Sequence, residues 1–338
     1  MASLFNHLRL SKTELSELAP GSLRSYREAR YLGGLWSASL KHDFNKEEQN
    51  IITRMYKGLQ ELMEMAHLET REEDRRLLEF CRRSDLGTMA MELEQAGVAA
   101  RNMEDTVTLT ILNEITQGPF ASIYGILFLA QQGSADPSFF SNLYYLARDQ
   151  LKIMRSFIVD LDPAKRTEDE KIRHHSIQLL IEKWQGAVYR AFGNQLEVEF
   201  QATYTGEVAE RCIEFAEVDR LFYHLANNAA QHRSQAALLI QVTETEDEQS
   251  LRWVFSNPLR EEQYDLLQGM MMEGQQIFDP DFSIKGKGMG LSLVAETVAH
   301  AYGLESRHQA VQGRYVGVKI DPHRFSVWFH WPKVIAPD

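Results

Sequence analysis

"IFDPDFSIKGKGMGLSLVAE", residues Ile277 to Glu296, sets Gly286, Gly288 and Gly290 at every second position beside Lys285 and Lys287, then runs into an apolar, helix-like segment. Alternating glycines let successive backbone N–H groups point into one concavity, and the N-terminus of the following helix adds partial positive charge. The stretch therefore suits phosphates. Glycine is needed where the backbone must approach the ligand and adopt φ > 0. The spacing is not that of a P-loop, and no strand leads directly into it as a dinucleotide fold requires.

Around this loop, "LEVEFQATY", "ALLIQVTET", "SLRWVFSN", "YVGVKI" and "RFSVWFHWP" read as strands, with helices between them at "IRHHSIQLLIEKWQGAVYRAFG" and "EVDRLFYHLANNAAQHR". That alternation predicts a mixed sheet backed by helices, an α/β sandwich. On the second of these helices Asn228 lies among Ala229, Ala230 and other apolar residues. An amide in that setting costs free energy unless it finds a partner. Mg²⁺ accepts a hard carbonyl oxygen and usually shares its coordination with nucleotide phosphates.

Residues 1–103 read as helical. Ile52, Met55, Leu59, Leu62 and Ala66 recur at 3-4-3-4 spacing, a narrow helix-packing seam. Residues 104–162 read as an antiparallel hairpin: one helix to about Gln132, a break at "GSADPS", and a second carrying Leu143, Leu146, Gln150, Ile153, Met154, Phe157 and Ile158 at helical spacing. Such a hairpin is stable when packed on something else, often its own copy in a four-helix dimer. "DPAKRTEDEK", residues 162–171, reads as a linker to the part over 172–338.

"RLFYHLANNAAQH", about 50 residues before the glycine loop, resembles the N box of sensor histidine kinases. "IFDPDF" is similar to their F box and "GKGMGL" to their second glycine box. The resemblance covers about residues 172–334 and implies a Bergerat-type ATP-binding domain, a fold shared with type II topoisomerases and some chaperones. It implies that Asn228 holds Mg²⁺ through the nucleotide, and that Lys285, Gly286, Lys287, Gly288 and Gly290 close on its phosphates. The segment between Asn257 and Ile277 would be the lid over the site, with Met270, Met271 and Met272 on a mobile or partner-binding surface. The hairpin then resembles the family's dimerisation and phosphotransfer domain, with "NEITQGPFASIYGILFLA" in place of the H box. The implied fold is α+β: a helical N-terminal region, a hairpin forming a four-helix bundle as a dimer, and the ATP-binding sandwich.

The pattern departs from the family in three places. The H box has no histidine; Glu114, or Asn113 with Glu114 beside it, stands at the phosphoacceptor position, and neither forms a phosphohistidine. His42 in "KHDF" is the rival acceptor. Ser256 or Asn257 stands where the family has the Asp that binds the adenine amino group. A charged acceptor is worth about 1.5–3 kcal/mol against about 1 for a neutral one, so the base site is weakened or retuned. His224, four residues before Asn228, lies where hydrolytic relatives carry a general-base Glu, and a neutral imidazole can act as a base near pH 7. If Asn113 aligns with the missing His, Gln117 falls three residues after Glu114, where bifunctional kinases position a water against an aspartyl phosphate.

The bulk numbers set limits on partners. Net charge is −12 over 338 residues, which argues against general nucleic-acid binding. Cys81 and Cys212 offer no disulfide framework, no uncharged run reaches a membrane span, and the N-terminus lacks a signal-peptide pattern, so a cytoplasmic protein is expected. The expectation is thus a dimeric two-component signalling protein that binds ATP and Mg²⁺, cannot autophosphorylate on its hairpin, and regulates a response regulator or partner kinase. The alternatives are a response-regulator phosphatase using Glu114 and Gln117, a kinase using His42, a scaffold without nucleotide, and, more distantly, a chaperone- or topoisomerase-like ATPase.

Overall fold

The computed structural model of the chain describes residues 2–20, 36–66, 71–101, 106–133, 142–232, 237–272, 276–280, 282 and 289–334. The N-terminal part forms α1 (Ala2–Leu8), α2 (Lys12–Glu17), α3 (Leu40–Asp43), α4 (Lys46–Ala66), α5 (Arg71–Arg83) and α6 (Leu86–Arg101). The expected seam is the buried face of α4, where Ile52, Met55, Leu59 and Leu62 lose all contact with solvent. Positions three and four apart share one side of a helix, so the four side chains form a continuous apolar stripe.

The first hairpin helix is broken. α7 (Thr106–Thr116) stops short, and α8 (Pro119–Gln131) starts with its proline at the first position. Gly118 between them takes φ 53°, ψ −130°, a conformation that glycine tolerates. Gln150 of α9 (Leu143–Phe157) secures the break, donating to Ile115 O at 2.9 Å and accepting from Phe120 N at 3.2 Å. α9 buries Leu143, Leu146, Gln150, Ile153, Met154 and Phe157, as its periodicity predicts. α4 packs on α9 and α5 on α8, so the chain's own N-terminal helices supply apolar cover to the hairpin. The expected linker is a helix, α10 (Pro163–Asp169). Asp162 caps it, accepting from Lys165 N at 3.2 Å, and Asp169 pairs with Arg155 of α9 at 2.6 Å.

Residues 172–193 also depart from the expected helix, forming β1 (Ile172–Ser176), α11 (Gln178–Trp184) and β2 (Val188–Ala191). Gly186 at φ 69° follows α11, and Phe192 and Gly193, both at positive φ, make the two-residue turn into β3 (Asn194–Ala202). Then come β4 (Glu207–Arg211), α12 (Cys212–His232), β5 (Ala237–Glu244), β6 (Ser250–Pro258), α13 (Glu261–Met272), α14 (Met289–Ala301), α15 (Arg307–Gln312), β7 (Val316–Asp321) and β8 (Arg324–Pro332). β1 pairs with β4. The other six strands form one mixed sheet, ordered β2-β3-β5-β6-β8-β7, with only β3 and β5 parallel among its neighbours. The architecture is α+β.

Both sheet faces are covered. Ile240, Trp253, Phe255, Val327 and Phe329 belong to the row under α12 and α14, and Phe222 of α12 stands edge-on to Trp253 and Phe255 with centroids 5.3 and 4.8 Å away. The opposite row meets α1 and α2. Leu10, Leu15 and Leu18 cluster with Val254 and Trp328, and Leu8 with Ala237 and Leu239. Gln241 fixes the arm, accepting from Leu10 N at 2.8 Å and donating to Leu10 O at 3.3 Å. Glu14 accepts from Arg324 at 2.6 Å and from Lys319 at 3.1 Å. A Cβ at position 317 would run into the Trp328 ring, which explains Gly317. No described helix is long and apolar enough to cross a membrane.

Candidate functional site

Arg220, His224 and Asn228 sit four residues apart on α12, so they share one face and succeed each other by about 6 Å along the axis. The hairpin lies against this face. Glu114 of α7, only 2% exposed, brings its carboxylate to 3.1 Å from His224 Nε2 and 3.6 Å from Arg220 Nη1. Arg220 also donates to Glu217 at 2.5 Å and to Thr297 Oγ1 of α14 at 2.7 Å. Its guanidinium lies over the rings of Trp36 and Phe157, 5.4 and 5.0 Å from their centroids. Further along, Asn227 Nδ2 donates to Gly118 O at 3.2 Å, while its Oδ1 accepts from Tyr189 Oη at 2.6 Å. α7 and its turn therefore run beside α12, with Glu114 at Arg220 and His224, and the Gln117–Gly118 turn at Asn227.

Burial pushes the Glu114 carboxyl up, but the charges of His224 and Arg220 outweigh it and leave the group below the usual carboxylate range. Glu114 is accordingly an anion at neutral pH. It is not presented to solvent, and neither is Asn113, which is buried beside it. Gln117 is half-buried. His42 is exposed on the four-residue α3.

Strand alternation separates the two candidates for the base site. Asn257 lies opposite Phe325 of the inner row, so it faces the α12 layer. Ser256 lies opposite Leu239 and Ser326, and its hydroxyl pairs with Ser326 Oγ at 2.8 Å under the N-terminal arm. Ser256 is thus on the other side of the sheet from α12 and shares no face with Asn228. Asn228 is half-buried on α12. The segment expected as a lid carries α13, with Leu267 buried and Met271 exposed, and Ile277 and Phe278 of "IFDPDF" are buried. Lys285, Gly286, Lys287 and Gly288 lie outside the described residues, as does the side chain of Met272. Gly290 is in the first turn of α14, with open space where a Cβ would stand.

Sequence reasoning missed a second buried cluster joining the hairpin to the sandwich. Asp149 of α9 accepts from Lys183 Nζ of α11 at 2.8 Å, from Tyr223 Oη of α12 at 2.9 Å and from Arg148 Nη2 at 3.0 Å. Lys183 also bonds Asp219, and both aspartates are fully buried. Burial raises both carboxyls. Lys183 and Arg148 overcome this at Asp149 and hold it low, whereas the Asp149 charge adds to it at Asp219 and keeps that group raised. The available signal was Asp149 itself, a charge next to Gln150 on an otherwise apolar seam. A cavity of about 30 Å³ beside the cluster, lined by Ser122, Ile126, Lys183, Trp184 and Tyr189, is wide enough for a water or two.

No protein-family model matches the chain, and no curated protein matches it. Among solved structures it is similar to the Acinetobacter baumannii histidine kinase AdeS, at 12% identity over 63% of this chain and 94% of that one, with a TM-score of 0.28. It is similar to full-length ShkA in complex with AMPPNP, at 12% identity over 72% of this chain and 46% of that one, with a TM-score of 0.31. A bacterial phosphotransferase solved at 1.7 Å matches at 12% identity over 71% of this chain and 96% of its own, with a TM-score of 0.28. Likenesses this distant assign no role to any residue.

Proposed function

We propose that this chain is a histidine-kinase-like regulator of two-component signalling that binds ATP with Mg²⁺ and does not autophosphorylate on its hairpin. The observation that carries the reading is Glu114. By the resemblance Glu114 stands at the phosphoacceptor position, or beside it if Asn113 does; its carboxylate is 2% exposed and is held in place by Arg220 and His224. A carboxylate so paired lacks the ring nitrogen of a phosphohistidine, and exposing it would break its contacts to His224 and Arg220 in a buried site.

The donor set suits a nucleotide. Asn228 would give Mg²⁺ a carbonyl oxygen, and Asn257, on the α12 side of the sheet, would meet the adenine amino group. Gly286, Gly288 and Gly290 with Lys285 and Lys287 would close on the phosphates. When bound, the magnesium nucleotide supplies a cluster of negative charge at the start of α14. Partners follow from the same reading: a response regulator or partner kinase docked on the hairpin, a second copy of this chain, and a cytoplasmic setting.

The test is incubation with γ-labelled ATP and Mg²⁺, with nucleotide binding followed calorimetrically in the same buffer. Binding with no label on the protein is the expected outcome. Acid-labile label on the chain would overturn the reading and make His42 the first residue to replace. Absence of binding would leave a scaffold.

A further inference from the structure

The main sheet has one closed edge and one open edge. At the closed one, α8 packs against the four-residue β2, and Arg190 O accepts from Ser122 Oγ of α8. At the other, β7 runs along β8 without a register shift, from Val316 opposite Phe329 to Asp321 opposite Arg324. His330 N donates to Tyr315 O at 2.8 Å. By antiparallel alternation Gly317, Lys319 and Asp321 therefore bond β8, while the N–H and C=O groups of Val316, Val318 and Ile320 point away from the sheet. Among the described residues nothing bonds these outward groups. Such a row is a template for another strand, and proteins guard it with a bulge, a proline or a charge. β7 has neither bulge nor proline, and its charges are already paired within the chain. Lys319 meets Glu14 at 3.1 Å and Glu17 at 3.7 Å, and Asp321 accepts from Arg324 Nε at 3.0 Å.

We propose that β7 pairs with the β7 of a second copy of this chain, antiparallel about a two-fold axis through Val318, so that two sheets join into one. In that register Val318 faces its own counterpart and Val316 faces Ile320 of the second copy. Each of the three pairs exchanges two backbone hydrogen bonds. The strand is self-complementary on both faces. Val316, Val318 and Ile320 lie opposite Phe329, Val327 and Phe325 of the inner row, so the pairing carries that apolar row from one sandwich into the next. On the outer face Gly317 has no side chain and leaves room for Lys319 of the second copy. Because the charges of β7 are paired within each chain, the strand neither repels its own copy nor selects an acidic or basic foreign strand. A slip by one residue would set the apolar side chains against the polar ones, which fixes the register. The proposal takes from the reading above only the second copy, gives it a place apart from the hairpin, and needs no nucleotide.

The deciding experiment is sedimentation equilibrium of the full chain across a dilution series, for the wild type and Val318→Pro. The wild type should form a dimer that dissociates on dilution. Proline at 318 removes an N–H that points away from β8, so the β7–β8 ladder survives, as edge strands allow. Each copy then loses one hydrogen bond across the axis, and the dissociation constant should rise on the order of 10- to 100-fold. A dimer of unchanged affinity in Val318→Pro would overturn the proposal and seat the second copy elsewhere. A wild type that is monomeric at every concentration would overturn it and remove the second copy from the reading above, leaving nucleotide binding to its own test. If Val318→Pro does not fold, hydrogen exchange of the wild type decides. The amides of Val316, Val318 and Ile320 should gain protection as concentration rises, and exchange independent of concentration overturns the pairing.

Discussion

Replacing Lys183 with Met tests how the hairpin is fastened to the sandwich. Lys183 is the ammonium shared by Asp149 and Asp219, both fully buried, and Asp219 Oδ2 has no hydrogen-bond partner. Removing one partner of a buried ion pair costs about 3–5 kcal/mol, because the remaining charge is stranded. Asp149 keeps Arg148 and Tyr223 in the variant, so the stranded group is Asp219. Its carboxyl is already raised, by burial first and then by the Asp149 charge. A group raised in the folded state stabilises below its unfolded pKa and loses that contribution as pH rises, so ionised Asp219 works against the fold at neutral pH. Asp219→Asn alone should therefore change stability by no more than about 1 kcal/mol, and the double variant should recover about 1–3 kcal/mol of the Lys183→Met loss. The assay is urea denaturation at pH 7 for the four members of the cycle, compared at constant slope. Additivity within about 0.5 kcal/mol, or a Lys183→Met loss under about 1 kcal/mol, would refute the reasoning.

Two further outcomes follow from single positions. Burial pushes the Glu14 carboxyl up, but hydrogen bonds from Ser11, Arg324 and Lys319 bring it down to about 2. Its contribution is thus complete above the unfolded value near 4.5 and is lost as pH falls towards 2. Protection of the Leu10 amide from hydrogen exchange, relative to its intrinsic rate at each pH, should fall over that window, and Glu14→Gln should show the lower protection already at pH 7. Gly118→Ala forces a side chain into φ 53°, ψ −130°, and should cost about 1–3 kcal/mol, read as a lower thermal midpoint. An unchanged midpoint would mean that the α7–α8 turn is less constrained than its ties to Gln150 and Asn227 imply.

The periodic parts are legible in the residues alone. The α4 seam, the buried face of α9 and five of the six strands in the main sheet were readable because a repeat of 3.6 or 2.0 residues records which side of an element is buried. Alternation also holds the answer to the Ser256 or Asn257 choice, yet it needs the register of β6 against β5 and β8 to say which row faces α12. Over residues 172–193 apolar residues at helical spacing mask Gly186 and Gly193, whose left-handed turns end one element and fold back the next. "DPAKRTEDEK" was read as a linker although Asp-Pro is also a helix-start signal. What makes it a helix of this fold is contact: Asp169 meets Arg155, and Asp162 also accepts from Tyr56 Oη at 3.0 Å.

Tertiary structure alone decided the rest. Glu114 and His224 are 110 positions apart, Asp149 and Lys183 are 34 apart, and Leu10 and Gln241 are 231 apart. No local pattern encodes such meetings, because each depends on how whole elements dock. A buried charge stands out in a sequence only as a cost, and the partner that offsets that cost is chosen by packing.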